Sequence, residues 1–416
     1  MSSRIAIVGA GVSGLVCAHL LHESHDVTVF EANDYAGGHT NTVRVDTAHE
    51  THHVDTGFIV LNDRTYPRFQ RVLAGVGVET QPSEMSFSVS DGRNFEYNGA
   101  SPNGLFARRA NLARPSFHRM VLDLLRFNRE APALVGLNGS GPSLGEFLHR
   151  GRYSQAFIER LIVPQASAVW SADPRRMWEF PASMLAEFFA NHGMFGFAGR
   201  PNWLAIKGGS ARYVEALVRP LGERLRLGAP VRRIERTEHG VELTPAGGEP
   251  EPYDELILAV HSDQALRMLA DPSRSEAEVL GAIPYQGNEA VLHTDSSLLP
   301  KRRRAWASWN FHLLERPAAR TTVTYHMNRL QTLRADREFC VTLNRSEAIA
   351  PESVLRVMRY HHPVYTPAGM AAQRRFDEVS GVRHTHYCGA YWGYGFHEDG
   401  VVSALRVCER FGRRLP

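Results

Sequence analysis

An α/β fold, in which a parallel sheet alternates along the chain with an α+β domain, is predicted by three observations. A buried strand, a glycine turn, a helix, a second strand and an acid stand in that order within the first 31 residues. A glycine pair with its own helix and strands begins at Lys207, after a stretch from 63 to 200 that lacks this rhythm. Near the C-terminus, "YCGAYWGYGFHEDGVVSAL" joins a strand, a loop of glycines and aromatics, and the start of a helix.

The first segment carries the strongest signal. "RIAIV" is apolar without alternation, as a strand buried on both faces should be. Gly9, Gly11 and Gly14 then give G-x-G-x-x-G, ahead of a helix with apolar residues at Leu15, Ala18 and Leu21. "DVTVFEA" is the second strand, and Glu31 closes it 17 residues past Gly14. Gly9 admits the tight turn, Gly11 lets the backbone approach a pyrophosphate, and Gly14 lets helix and strand pack closely. The helix N-terminus attracts the anion. Glu31 would accept hydrogen bonds from a ribose diol and disfavours a 2′-phosphate there. Alone, G-x-G-x-x-G is weak; five elements in order make a Rossmann-type reading.

Beyond residue 62, "TYPRFQRVLAGVGV" reads as a helix ending at glycine. "SFSVSDGRNFEYNG" reads as a hairpin turning at Asp91-Gly92, and "PSFHRMVLDLLRFNREAPAL" as an amphipathic helix. From 207, "KGGSARYVEALVRPLGERL" is a glycine pair and helix, "GAPVRRIERTEHGVELTP" two strands, and "YDELILAV" another buried strand. Strands such as "NEAVLHTD" and "TTVTYHMN" occupy the next irregular stretch. The expected division is 1–75, 205–263 and 376–416 for the nucleotide domain, with 76–204 and 264–375 forming a substrate domain.

Composition sets bounds. An apolar fraction of 43% and a charged fraction of 22% are ordinary for a globular protein. A net charge of +3 gives no nucleic-acid footprint. Cys17, Cys340, Cys388 and Cys408 are scattered without C-x-x-C spacing, which argues against a disulfide framework and for a reducing cytosol. "MSSR" leads straight into a strand and does not read as a secretory signal. No apolar run reaches the roughly 18 residues that span a bilayer. A cytoplasmic protein, with peripheral contact at the inner membrane, is expected. "HTHYC" sets His384, His386 and Cys388 on one face of a strand, but a fourth ligand is not evident and no metal is expected. His52-His53 and His361-His362 read as surface pairs.

After Glu31, "ANDYAGGHTNT" places Gly37-Gly38 in a second glycine loop that a simple NAD dehydrogenase does not need. With "VDTGFIVLN", the segment from Lys207 and the C-terminal run, it resembles the flavin-containing amine oxidase superfamily, which includes protoporphyrinogen oxidases and carotenoid desaturases. The resemblance implies FAD as cofactor. Its contacts would be Gly9, Ala10, Gly11, Ser13 and Gly14, then Glu31 and Ala32, then Gly38, His39 and Thr40. Further contacts would be Gly57 and Phe58, the backbone of Val231, and Ala390, Tyr391, Gly400 and Val401. Three departures stand out. His39 takes the place of the family's arginine, and Ala390 or Tyr391 that of the aspartate holding the ribityl chain. The lysine that the family often carries near the flavin has no counterpart in "GNEAVLHTDSSLLP".

In finer pattern, "GGHTNTV", "WLAIKGGSARYVEAL" and "RAWASWNF" resemble a bacterial branch associated with cyclopropane-fatty-acid-synthase-like methyltransferases and furan fatty acid synthesis. That implies a dehydrogenase taking hydride from a methylated unsaturated fatty acyl chain, a lipid-like apolar substrate, with a methyltransferase as partner. A base would take the proton, and Tyr391, His293 and His397 are the candidates. The aromatic run at 178–197 would line an apolar tunnel, and Arg108, Arg109, Arg114, Arg119 and the Lys301–Arg304 cluster would meet anionic lipid heads. Taken alone, an ordinary core and solvated arginines explain these features as well. The alternatives are an FAD amine oxidase, with Tyr391 and Trp392 as an aromatic cage, and a non-catalytic flavoprotein that escorts the methyltransferase.

Overall fold

The computed structural model describes residues 2–47, 50–137, 141–196, 199–315 and 319–416. Five parallel strands form one sheet in the order β3-β2-β1-β4-β5. They are β1 (Arg4–Val8), β2 (Asp26–Phe30), β3 (Leu225–Arg226), β4 (Glu255–Leu258) and β5 (Thr385–Tyr387). Ile5, Ile7, Val27, Val29, Leu256 and Leu258 are all buried, which is why these strands read as apolar runs. Helix α1 (Val12–Leu21) joins β1 to β2 and packs on the final helix, His397–Arg410.

Backbone contact fixes this crossing. Gly9 turns with φ of +103°, and a Cβ on it would lie 2.5 Å from the carbonyl oxygen of Ala259, just past β4. On Gly14 a Cβ would lie 1.9 Å from the carbonyl oxygen of Gly9. A side chain at either position would hold the helix off the sheet.

The second body is built on a seven-stranded mixed sheet. Its order is Val354–Pro363, Tyr285–His293, Cys340–Leu343, Val323–His326, Trp309–His312, Phe87–Ser90 and Glu96–Asn98. Helices α2 (Pro115–Glu130) and α3 (Ala182–Asn191) share one aromatic core with it. Helix α2 has Pro at its first position and buries Phe117, Met120 and Phe127, one stripe at helical spacing. Its opposite face carries exposed Leu122 and Leu125.

Asp55 ties distant segments together. It ends the strand Thr51–Asp55 and is fully buried. The Thr42 hydroxyl donates to its carboxylate at 2.5 Å, the Ser210 amide and hydroxyl each at 2.9 Å, and the Gln331 side-chain amide at 2.9 Å. Its own N–H donates to Gln331 Oε1 at 2.8 Å. Burial nonetheless pushes its pKa up to about 7, since so many donors still do not replace water. A folded value above the ordinary 3.8 means that the folded state holds the proton more tightly. The stability this confers is present below about pH 4 and is lost as pH rises toward 7.

Replacing Asp55 by Asn turns an amide N–H₂ toward these donors and should destabilise the fold by about 1–3 kcal/mol. In thermal melts the gap between wild type and Asp55→Asn should shrink as pH rises from about 4 to about 7, because only the wild type titrates there. A gap independent of pH would contradict the assignment.

Candidate functional site

A cavity of about 870 Å³ is walled by residues of both sheets. One end lies at the C-terminal edge of β1, β2 and β4, where doubly wound sheets receive ligands. Helix α1 begins there with Gly11 as its N-cap, and no side chain caps it. The first-turn N–H groups are thus available to an anion. A Cβ on Gly11 would meet nothing within 4 Å, so the protein's own packing does not require glycine here. The space above Gly11 suits a group that must come close to the backbone.

Glu31 organises this end. Its Oε2 accepts from the Ala10 amide at 2.8 Å, and its Oε1 from the backbone and side-chain nitrogens of Asn33 at 2.9 and 2.8 Å. The second glycine loop is docked on the first: the Gly37 N–H donates to the Ala10 carbonyl at 2.8 Å. A Cβ on Gly38 would lie 3.2 Å from the Gly11 Cα. The Ser13 hydroxyl donates to the Gly400 carbonyl at 2.9 Å and joins the turn to the final helix.

Among the positions expected at the cofactor, Gly9, Gly11, Ser13, Glu31, Ala32, Gly38, His39, Gly57, Phe58, Val231, Ala390 and Tyr391 line the cavity. Ala10, Gly14, Thr40, Gly400 and Val401 stand behind that wall. The Thr40 hydroxyl hydrogen-bonds with Tyr213 at 2.6 Å and with His397 Nε2 at 2.9 Å. Val401 is a core residue, and a Cβ on Gly400 would press on Val12 at 2.8 Å.

The three candidate bases separate. His293 is fully buried away from the cavity, with Nε2 bonded to the Thr342 hydroxyl at 2.7 Å and Nδ1 accepting from the Asp295 amide at 3.1 Å. Both nitrogens are engaged, so His293 serves the large sheet rather than a substrate. His397 lines the cavity with its ring stacked on Phe58 at 3.5 Å, but its Nε2 is bonded to Thr40 and Tyr213. Burial holds it neutral. Tyr391 is buried in the wall with its hydroxyl unpartnered among the described residues, and burial raises its pKa well above that of an ordinary phenol. Gly389 makes room for its ring, since a Cβ there would lie 2.4 Å from Tyr391 Cε1. Trp392 does lie beside Tyr391, with ring centroids 5.1 Å apart, but it packs edge-on against Phe376 at 4.8 Å and does not line the cavity.

Two histidine pairs also differ from expectation. His52 is buried against Phe339, with ring centroids 5.1 Å apart. His361 and His362 both line the cavity, with His361 exposed and His362 turned inward. His39 stacks on Tyr360 at 5.2 Å, meets His362 edge-on at 5.2 Å and lies 6.2 Å from His261. The available signal was strand alternation, which puts Met358, Tyr360 and His362 on one face.

The other half of the cavity is walled by Met85, Trp170, Phe188, Trp309, Tyr325 and Leu343, none of them charged. Of the aromatic run at 178–197, Phe188 and His192 reach this wall, Phe180 and Phe189 are core, Trp178 faces outward, and Phe197 lies outside the described residues. A pair missed by sequence reasoning sits here. The Tyr394 hydroxyl, in the wall, donates to Glu187 Oε2 at 2.5 Å. Glu187 Oε1 is buried without a partner among the described residues. A lone acid inside the apolar "MLAEFFA" was the signal.

A family model described as flavin containing amine oxidoreductase matches residues 12–411. AofH of Mycobacterium tuberculosis (strain ATCC 25618 / H37Rv), provisionally named a flavin-containing monoamine oxidase, is 26% identical over 281 residues. The match takes in 64% of this chain and 59% of that protein, so the chain spans about three fifths of that relative's length. Cyclohexylamine oxidase from Brevibacterium oxydans superposes with a TM-score of 0.70 at 17% identity, over 99% of this chain and 100% of the other. A fatty acid isomerase from P. acnes does so with a TM-score of 0.66 at 17% identity, over 98% of each. At such identities these structures establish a shared fold.

Gly14→Ala should destabilise the protein by about 3 kcal/mol, because a methyl group cannot share space with the Gly9 carbonyl. Gly11→Ala should melt as the wild type does yet bind FAD at least about tenfold more weakly, as a methyl group would obstruct the ligand alone. Melting curves and FAD titrations of the two variants check this contrast.

Proposed function

The chain belongs to the flavin containing amine oxidoreductase family and is an FAD-dependent oxidoreductase, and we propose that its substrate is lipid-like, a methylated unsaturated fatty acyl chain. The observation that supports this reading is the uncharged half of the cavity. An acyl chain would be desolvated there at no electrostatic cost. A protonated amine would lose its hydration there, and the carboxylate behind this wall, Glu187, is already engaged with the Tyr394 hydroxyl. FAD, once bound, supplies the hydride acceptor. The turn at Gly9–Gly14, Glu31, His39 and the backbone near Val231 would hold it.

The oxidation would remove two hydrogens, a hydride that bound FAD would accept and a proton that the chain's own residues must take. We assign the proton to the Tyr394 oxygen, whose own proton passes to Glu187. The Tyr391 hydroxyl has no hydrogen-bond partner among the described residues to take its own proton, so the role of base goes to Tyr394. Phe188, Trp170 and Trp309 exclude water from the reacting carbons. The methyltransferase that installs the methyl branch would supply the substrate, and is the proposed partner. Amine oxidation is a second reading, supported by relatives such as cyclohexylamine oxidase and by aromatic faces that can receive a cation.

The outer face of α2, with the turn Arg109–Ala113 that precedes it, suits a peripheral lipid contact. Leu112, Leu122 and Leu125 are 53%, 60% and 47% exposed, and Arg108, Arg109, Arg119 and Arg129 surround them in sequence. No helix among the described residues is long and apolar enough to cross a membrane.

Anaerobic addition of methylated unsaturated phospholipid should bleach the bound flavin. Bleaching by amines with none by lipid would overturn the lipid reading. Tyr394→Phe should slow that reduction about 10²–10³-fold without changing FAD affinity. Leu122→Asp with Leu125→Asp should abolish co-sedimentation with anionic vesicles while leaving the melting temperature in place.

A further inference from the structure

We propose that FAD binds this chain together with a proton, which the imidazole of His39 takes up so that it meets the cofactor's diphosphate as a cation. The inference rests on the reading that the cavity holds FAD, and concerns how the charge of that cofactor is met.

A diphosphate needs positive charge near it, and a helix N-terminus supplies only a partial charge. The two glycine loops, 9–14 and 37–40, contain no lysine or arginine. Three arginines line the cavity elsewhere. Arg267 is paired with Asp263 at 2.7 Å, while Arg232 and Arg359 are exposed on strands of the outer wall. His39 is the ionisable side chain of the second loop, one residue beyond the glycine that rests on Gly11. Its backbone is fixed, because the Phe58 N–H donates to its carbonyl at 2.8 Å and Gly57 lies against that same oxygen. Its Nε2 is shielded from solvent and has no partner among the described residues. A fixed backbone and an unpaired ring nitrogen in the cavity wall describe a group waiting for an acceptor.

The groups around it explain why the charge arrives only with the ligand. Tyr360 stacks on the ring, His362 meets its edge, and His261 and His361 flank it. His397 is within electrostatic reach across the cavity. The carboxylate in this neighbourhood is Asp263, which faces His261 and is paired with Arg267. Burial and the neighbouring imidazole of His361 lower the His39 pKa to about 4, although the His361 backbone pulls the other way. Near neutrality the ring is therefore uncharged before FAD arrives. An adjacent diphosphate favours the charged form and raises that value. Between the free and bound values one proton enters with each FAD. Affinity then falls by up to about tenfold per pH unit as pH rises, and levels off above the bound value. The diphosphate stays ionised throughout, so the cofactor contributes no titration of its own.

The test is titration of the deflavinated full chain with FAD from about pH 5.5 to about pH 8.5, by calorimetry in two buffers of different ionisation enthalpy. The wild type should take up close to one proton per FAD at the acid end and bind more weakly as pH rises. His39→Arg should bind with no proton uptake and no pH slope, since its charge is permanent. His261→Gln and His362→Gln should retain most of the uptake. Equal apparent enthalpies in both buffers for the wild type, or a pH slope surviving in His39→Arg, would overturn the inference while leaving the FAD site in place. No FAD binding at any pH would instead refute the cofactor reading on which it rests. Melting curves for each variant separate weakened binding from loss of fold.

Discussion

Backbone meets backbone where α1 crosses the end of β1: a Cβ on Gly14 would stand 1.9 Å from the Gly9 carbonyl, and one on Gly9 would stand 2.5 Å from the Ala259 carbonyl. This contact sets the height of the helix over the sheet. It also aims the uncapped N-terminus of α1 into the cavity. Glu31 then fastens the turn through the Ala10 amide, and the Gly37 loop docks on the same turn. Everything at the nucleotide end is positioned from this crossing. Its recognition elements are mostly backbone groups, which cannot relax away from a ligand as side chains can.

The two ends of the cavity use opposite physics. At the glycine loops, dipoles and one carboxylate await a polar, anionic cofactor. Toward the large sheet, the wall is made of aromatic faces and Leu343. Where the two regimes meet, ionisable groups are kept uncharged by burial: His39 falls to about 4, and His397 is likewise lowered well below its ordinary value. Uncharged imidazoles can sit beside one another at centroid distances of 5.2 to 6.2 Å, where protonated rings would repel. Away from the cavity, Asp55 answers the same penalty with four donors and a raised pKa.

Fold and chemistry are only loosely linked in this architecture. Cyclohexylamine oxidase and a fatty acid isomerase both superpose on nearly the whole chain at 17% identity. The side chains on this frame that bear on its chemistry are His39 at the second glycine loop, Ala390 and Tyr391 past β5, and the Tyr394–Glu187 pair. A substrate assignment therefore has to be argued from those residues.

The sequence by itself determined the nucleotide turn, the acid at the end of β2, the hairpin at Asp91-Gly92 and the amphipathic α2. Each is a local demand, met within a few residues by backbone conformation or hydrophobic period. Hydrophobic run length likewise marked β1, β2 and β4. Tertiary structure decided which polar groups face the cavity. It removed His293 by spending both ring nitrogens on the large sheet, and turned Trp392 away onto Phe376. It brought in His361 and His362, and joined Tyr394 to Glu187 across 207 residues of chain. A side chain's direction depends on the register and crossing of elements far apart in sequence, and no local pattern encodes that geometry.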